Sequence, residues 1–245
     1  MTKEILPESG DPMGAAIADF HRNHKADRLR VFSSRFDEDE IPVKHLFRDY
    51  KQMSALERCA LDHAAGRILD AGAGSGCHSL ALQKAGKDVT PVDISPLSVM
   101  VMKERGLENA MCVNLFDNEK LNGKFDTVLL LMNGSGIIGK LANMPAFFDR
   151  MRELLSPGGC ILMDSSDLSY LYEDENGEIE INLAGDYYGE VDFTMQYKNI
   201  TGNPFDWLYI DFNTLSFYAE QAGVKVEMMK EGKHYDYLAK LTVAG

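Results

Sequence analysis

The stretch Ile68-Leu-Asp-Ala-Gly-Ala-Gly-Ser-Gly76 decides the fold. Its apolar start predicts a buried strand that ends at Asp70, and every second residue from Gly72 to Gly76 is then glycine. Glycine turns tightly at positive φ and lets a ligand lie directly against the backbone. The pattern after Gly76 is helical, and a ligand in such a turn lies over a helix N-terminus. A strand, a glycine loop and a helix in this order predict an α/β fold with a ligand at the loop.

The spacing of the glycines separates two interpretations of this loop. A dinucleotide fingerprint, G-x-G-x-x-G, needs its third glycine at residue 77 or 79, and those residues are Cys77 and Ser79. The observed pattern is D-x-G-x-G-x-G, with a carboxylate two residues before the first glycine. This pattern resembles the first motif of the class I S-adenosylmethionine (SAM)-dependent methyltransferases. An NAD(P)-dependent oxidoreductase on a Rossmann fold and a non-catalytic protein that binds SAM or S-adenosylhomocysteine (SAH) are the alternatives.

The resemblance covers the chain from about Gly66 to its end, apart from one insertion. It includes Phe125-Asp126, Leu155-Ser-Pro-Gly-Gly159, Asp164-Ser-Ser-Asp167 and the Ala222-Gly223 pair before a terminal hairpin. The whole chain also resembles a bacterial group of methyltransferases that begin with a D-P-x-G helix. The resemblance implies a Rossmann-like seven-stranded sheet in the order 3-2-1-4-5-7-6 with the last strand antiparallel. It also implies SAM as the cofactor and SAH as the product.

The resemblance places Asp70 at the cofactor's ammonium group and the amides of the glycine loop at its methionine end. It also implies an adenine contact after the third strand, at Asn114 or, if the register slips, at Asp117, and a methionine contact at Asn133. Asp93 is predicted from its own position, because a carboxylate at the end of the second strand accepts hydrogen bonds from a ribose diol. The alternative for Asp93 is a helix cap. The predicted cofactor-binding residues are Asp70, Gly72, Ala73, Gly74, Gly76, Asp93, Ile94, Asn114, Leu115 and Asn133.

The chain is expected to have two parts. Residues 1–65 lack strand-helix alternation and predict a helical N-terminal cap, with an extended stretch at 30–36 and a capping box from Ser54 to Glu57 that opens a helix. Residues 66–245 alternate strands and helices and form the methyltransferase domain, which carries an inserted β segment at about 168–206. Whether the cap contacts a substrate or only packs on the core is left open.

Composition excludes several classes of protein. The 245 residues carry 25 Lys and Arg against 38 Asp and Glu, a formal charge of −13, which disfavours nucleic acid as a partner. The four cysteines are scattered and there is no apolar run long enough for a membrane helix, so a cytoplasmic protein with reduced thiols is expected. The sequence has no metal-binding motif, and no metal is predicted. The oligomeric state stays open.

The sequence predicts little about catalysis. Methyl transfer from a sulfonium is an in-line displacement, to which positioning alone contributes much of the acceleration. Asp164 and Asp167 follow the fifth strand and are candidate bases, although helix capping is the favoured role for both, and packing is favoured for His78. The acceptor is expected to be a small molecule or a protein side chain; DNA bases are disfavoured because D/N-P-P-Y is absent after the fourth strand. The inserted segment and the residues just after it carry aromatic side chains that form either a pocket wall or ordinary core, and the sequence leaves this open. These residues are Tyr187, Tyr188, Phe193, Tyr197, Phe205 and Trp207.

Overall fold

The computed structural model describes residues 4–174, 176–181 and 185–243. Within these ranges the strands, in chain order, are β1 (Leu29–Phe32), β2 (Asp39–Ile41), β3 (Arg67–Ala71), β4 (Asp88–Asp93), β5 (Met111–Cys112), β6 (Phe125–Leu130), β7 (Leu155–Ser166), β8 (Glu190–Tyr197), β9 (Ile200–Thr201), β10 (Phe205–Leu208), β11 (Val224–Glu231) and β12 (Asp236–Val243). The α-helices are α1 (Pro12–Asn23), α2 (Ala55–His63), α3 (Cys77–Lys84), α4 (Pro96–Glu104), α5 (Met144–Leu154) and α6 (Phe212–Gln221). Short 3-10 helices lie at Glu8–Gly10, Val43–Phe47, Tyr50–Gln52, Gly134–Ile138, Leu141–Asn143 and Ser169–Tyr172.

The central sheet has seven strands in the order β5-β4-β3-β6-β7-β12-β11. Numbered along the chain within this sheet, the order is 3-2-1-4-5-7-6, as predicted. β12 runs antiparallel to β7, while β3, β4, β5, β6 and β7 pair in parallel. Parallel strands that are covered on both faces are rich in apolar residues, and in β6 five of six residues are buried, all except Asp126. Their carboxyl ends therefore meet at one edge of the sheet.

The N-terminal segment contains strands as well as helices. β1 pairs with β2 on one side and with β8 on the other, so Leu29 lies opposite Tyr197. β8 also pairs with β9 and β10, which completes a second, antiparallel sheet. The prediction of a purely helical cap is thus wrong. The stretch that was predicted to be extended contains a strand, and this strand pairs with the inserted segment in one sheet. The boundary between the two parts at residues 65 and 66 stays a prediction.

The other differences from the predicted elements are local. The third strand, expected over 110–115, is reduced to β5, so Asn114 lies two residues beyond its end. The stretch expected to lead into α6 includes β10, which pairs with β8. The acidic hairpin predicted over 173–183 shows one bridge, between Glu173 and Ile179, and residues 175 and 182–183 lie outside the described part of the chain.

Helix α1 begins with the D-P-x-G sequence and packs on α4. The Asp11 side chain accepts a hydrogen bond from the Gly14 amide (2.8 Å), and Pro12 takes the first helical position. The second oxygen of Asp11 accepts the Ser95 hydroxyl, which itself caps α4. A Cβ on Gly14 would lie 2.1 Å from that oxygen and 2.3 Å from the Ser95 Oγ, so only glycine fits between these two helix starts.

Candidate functional site

The glycine loop joins β3 to α3 and has the predicted conformation. Gly72, Gly74 and Gly76 have φ values of 72°, 56° and 81°, the left-handed region that side chains disfavour. The amides of Gly72 and Ala73 both donate to the carbonyl of Val92, which ties the loop to the end of β4. A Cβ built on Gly72 meets no atom within 4 Å, so its outer face is open to a ligand.

Asp70 lies beneath this loop, with 2% of its surface exposed. Its Oδ2 accepts the Ser79 hydroxyl at 2.6 Å, from the first turn of α3. This hydrogen bond fixes the carboxylate in one orientation and engages one of its two oxygens. A ligand at the loop is therefore left with the second oxygen.

Asp93 and the glycine loop are in direct contact. One oxygen of the Asp93 carboxylate accepts the Gly74 amide and the other accepts the Ser95 amide, each at 2.8 Å. Burial raises the pKa of Asp93 to about 6, and these two amides offset part of that rise. Each carboxylate oxygen has more than one acceptor site, so Asp93 can bind a diol while it holds the loop. The helix cap of α4 is Ser95, whose side chain accepts the Ser98 amide, and Asp93 only accepts the amide of that cap residue.

The third strand end is covered by the N-terminal residues. The Asn114 side chain donates to the carbonyl of Glu4 (3.3 Å) and accepts the Phe116 amide (3.0 Å), while the Leu6 amide donates to the carbonyl of Ile94 (3.0 Å). Ile94 is 36% exposed at this position. The Ile94 carbonyl and the Asn114 side chain thus both contact the N-terminal residues 4–6.

Leu115 and the alternative residue Asp117 have structural contacts. Leu115 is buried in the core, and its carbonyl accepts Nε of Arg150 at 2.7 Å. Asp117 accepts the amides of Glu119 and Lys120 and so closes a turn. Asn114, rather than Asp117, is the polar residue nearest the strand end.

The turn after β6 is the most strained part of the site. Met132 and Asn133 both have positive φ, 69° and 55°, although neither is glycine. The buried Asp164 accepts the amides of Met132 (3.1 Å) and Gly134 (2.9 Å), and Ser166 donates to the Asn133 side chain at 2.7 Å. Such conformations persist only where surrounding contacts impose them, and they concentrate at functional sites.

The two carboxylates considered as bases hold backbone in place. Both oxygens of Asp164 receive amide hydrogens, and burial raises its pKa to about 6 despite those amides. Asp167 accepts the Ser169 amide at the start of a 3-10 helix and the Tyr188 hydroxyl, both at 2.8 Å. These contacts give both residues a positioning role; their catalytic role stays a prediction without a contact that favours it.

A cavity of about 370 Å³ opens beside the strained turn. Its walls come from three distant parts of the chain: the segment before and within α2, the ends of β6 and β7, and the hairpin before β12. The lining residues are His45, Arg48, Ser54, Leu56, Glu57, Met132, Asn133, Asp164, Ser166, His234 and Asp236. Of the residues predicted from the sequence, Asn133 and Asp164 lie here.

A buried charged network forms one wall of this cavity. Glu57 is 4% exposed, and its Oε1 contacts both the Arg48 guanidinium and Nε2 of His78, the latter at 2.6 Å. Its Oε2 accepts the Ser54 amide, which completes the predicted capping box. Although burial raises the pKa of Glu57, the contacts with His78 and Arg48 hold it well below its usual range. The capping box signalled Glu57, but its two partners lie 9 and 21 residues away and left no local pattern.

The aromatic residues of the insertion do not line the cavity in the described part of the chain. Tyr197 is 1% exposed and its hydroxyl donates a hydrogen bond to Asp19 of α1, so it is part of the packing between β8 and α1. Trp207 lies on Gly136, where a Cβ would come within 1.8 Å of the indole. The core interpretation is the one that these contacts favour.

A seven-stranded sheet in this order, with a D-x-G-x-G-x-G loop after its first strand and a carboxylate after its second, defines the class I SAM-dependent methyltransferases. The chain also matches the family model described as a methyltransferase domain over residues 43–218, and it belongs to that family. Its cofactor is SAM. The alternative of an NAD(P)-dependent oxidoreductase is not supported.

Solved structures and curated proteins agree with this assignment. A SAM-dependent methyltransferase from Bacteroides fragilis, solved in complex with SAH, is 68% identical, with a TM-score of 0.93 over 99% of this chain and 98% of that one. The CcbJ methyltransferase of Streptomyces caelestis has a TM-score of 0.62 at 14% identity, over 96% of this chain and 98% of that one, and so shares the fold. A ubiquinone biosynthesis O-methyltransferase of Xanthomonas oryzae is 26% identical over 156 residues. That match spans 61% of this chain and 63% of the relative.

The described residues also bear on membranes and metals. None of the helices found there is both long and apolar enough to cross a bilayer. In the same residues, no group of three or more His, Cys, Asp or Glu side chains is arranged around a metal position.

Proposed function

We propose that the protein transfers the methyl group of SAM to a small polar molecule that binds in the 370 Å³ cavity. The observation that carries this proposal is the position of the cavity against the strained turn at Met132 and Asn133. That turn lies at the carboxyl end of β6, and β6 is the neighbour of β3, the strand that leads into the glycine loop. Ligands of open α/β sheets bind outside the carboxyl ends of the strands.

The cofactor would lie across the ends of β3, β4 and β5. The glycine loop would receive its methionine end, with Asp70 at the ammonium group; Asp93 would accept from the ribose hydroxyls; and Ile94, Asn114 and Leu115 would enclose the adenine. Asn133 would border the sulfonium, between cofactor and cavity. The geometry fits such a ligand, because the loop face is open at Gly72 and Asp93 retains acceptor capacity beside Gly74.

SAM supplies an electrophilic methyl group when it is bound, and the protein's residues supply position. Asp164 and Ser166 hold the turn at Asn133, and Arg48, Glu57 and His78 hold the opposite wall of the cavity. Both walls are fixed by buried hydrogen bonds, so an acceptor bound between them loses its freedom before reaction. Fixing the two reactants in this way accelerates a displacement.

A hydroxyl is the first acceptor group to test, because the curated relatives are O-methyltransferases. A polar small molecule fits a cavity walled by charged and hydroxyl-bearing residues better than a protein side chain does. The net charge of −13 opposes a nucleic-acid substrate. A cytoplasmic location is part of the same proposal.

Calorimetric titration with SAM, SAH and NADPH in parallel tests the proposal. We expect micromolar binding of SAM and SAH and none of NADPH. Gly74→Val should abolish binding, because Gly74 has a φ of 56°, which a β-branched residue does not tolerate. Binding of SAM by this variant at wild-type strength would reject the loop as the cofactor site.

A further inference from the structure

His45 presents an imidazole at the rim of the cavity. It lies in the 3-10 helix Val43–Phe47, and its backbone is fixed on both sides: its amide donates to the Pro42 carbonyl (2.7 Å), and its carbonyl accepts Nη1 of Arg48 (2.5 Å). The side chain is exposed and lines the cavity. Neither ring nitrogen has a hydrogen-bond partner among the described residues. The imidazole is therefore held near the cavity and is free to bind what enters it.

The carboxylates that share the cavity are already engaged. Glu57 binds Arg48, His78 and the Ser54 amide, and Asp164 accepts two amides. Asp236 accepts the amide of His234, which fixes it to its own hairpin. Arg48 is a permanent cation and cannot take up a proton. Unlike these carboxylates, whose oxygens already hold amide hydrogens, the imidazoles of His45 and His234 have ring nitrogens without a hydrogen-bond partner among the described residues.

The charges around His45 favour its neutral form. Partial burial lowers the pKa of His45, and the neighbouring Arg48 guanidinium and His78 ring lower it further, against an opposing effect of Glu57. The remaining charged groups of the cavity are Asp164 and, on the facing hairpin, Asp236 with His234. An imidazole with an ordinary pKa of about 6.5 that is lowered further is unprotonated at pH 7. It can accept a proton there.

We propose that His45 is the general base of the methyl transfer and that the acceptor is a small polar molecule that is methylated on a hydroxyl group. This inference rests on the proposed function of the cavity. An oxygen lone pair of the acceptor forms the new bond to the methyl carbon, and the carbon–sulfur bond breaks with its electron pair going to sulfur, which leaves SAH. The hydroxyl proton passes to a ring nitrogen of His45. Because the side chain is exposed, the proton then passes to solvent.

The first test compares three histidine variants with catechol and 3,4-dihydroxybenzoate as probe acceptors and radiolabelled SAM. His45→Gln should lower kcat by about 100-fold or more, with a smaller change in KM, because a positioned base contributes about 10²–10⁴. The wild-type rate should fall at acid pH with an apparent pKa below about 6.5, and this limb should disappear in His45→Gln. His63→Gln is the matched control, since His63 is an exposed histidine of α2 outside the cavity.

Two kinetic results would overturn the assignment. One is a His45→Gln enzyme that keeps the wild-type kcat and its acid limb. The other is loss of that limb in His234→Gln instead, which would move the proton acceptor to the facing hairpin.

The second test follows the His45 ring signals by NMR in ¹³C-histidine-labelled protein bound to SAH, from pH 4.5 to 9. A midpoint below about 6.5 supports the proposal, and a midpoint at or above that value overturns it, whether or not either probe is methylated. Calorimetry with SAM distinguishes a failure of the proposed function from a failure of the base assignment. Absent SAM binding by the wild type refutes the proposed function, whereas normal binding with a protonated His45 refutes only the base.

Discussion

Acid should weaken cofactor binding through one carboxylate, Asp93. Its two oxygens accept the amides of Gly74 and Ser95, and burial raises its pKa to about 6. The ionised form accepts hydrogen bonds from both hydroxyls of a ribose, whereas protonation turns one oxygen into a donor. Since the bound state needs the ionised form, the dissociation constant for SAM should rise as the pH falls through 6.

The size of the effect follows from the fraction of Asp93 that is ionised. With a pKa of about 6, Asp93 is ionised in roughly one molecule in eleven at pH 5. The dissociation constant should therefore be about tenfold larger at pH 5 than at pH 8, a loss of about 1.4 kcal/mol in binding free energy. Between pH 7 and pH 8 it should hardly change. Asp93→Asn should bind SAM weakly at every pH and show a flat profile.

Isothermal titration with SAH at half-unit steps from pH 5 to pH 8 measures this dependence. Asp149→Asn, which removes an exposed carboxylate of α5, is the control and should keep the wild-type profile. Asp11 needs its own variant, because burial raises the pKa of Asp11 as well and its side chain contacts Ser95. A flat wild-type profile, or one that Asp11→Asn flattens instead, would refute the assignment of the acid limb to Asp93.

Two further predictions concern stability. Glu57→Gln should cost about 3–5 kcal/mol in urea unfolding, because it leaves the buried Arg48 and His78 without their anionic partner. Because the pKa of Glu57 is lowered in the folded protein, its ionisation stabilises the wild type at pH values above the unfolded-state pKa of about 4.3. The stability of the wild type should therefore fall as the pH drops below about 4.3, and that of the variant should fall less. Equal acid sensitivity of the two proteins would contradict this. Gly136→Ala should cost about 1–3 kcal/mol and lower Tm, since a Cβ there would lie 1.8 Å from the Trp207 ring; an unchanged Tm would show that the indole moves aside freely.

Much of the cofactor side was predictable because it is local. The alternation of Gly72, Gly74 and Gly76 specifies a left-handed turn, and the structure has positive φ at all three. Asp93 was predicted at the end of the second strand, 19 residues after Gly74, and its contact with the Gly74 amide is present. The sheet order came from resemblance to a family, since hydrophobic periodicity identifies strands but not their neighbours.

The acceptor side was decided by tertiary structure. β1 and β8 are separated by more than 150 residues, and no local pattern indicated that they pair. His45 and Arg48 likewise meet Asn133 and His234 only because the N-terminal segment folds over the ends of β6 and β12.

The sequence by itself determined the backbone of the loop, because glycine acts on φ and ψ over a few residues, and its resemblance to a known family indicated the class of the protein. Only the tertiary structure decided which charges are buried together and which face a cavity, because burial and pKa depend on the atoms that long-range packing brings close. Glu57 shows both: its capping box can be read within four residues, and its ion pairs with Arg48 and His78 exist only in the folded chain.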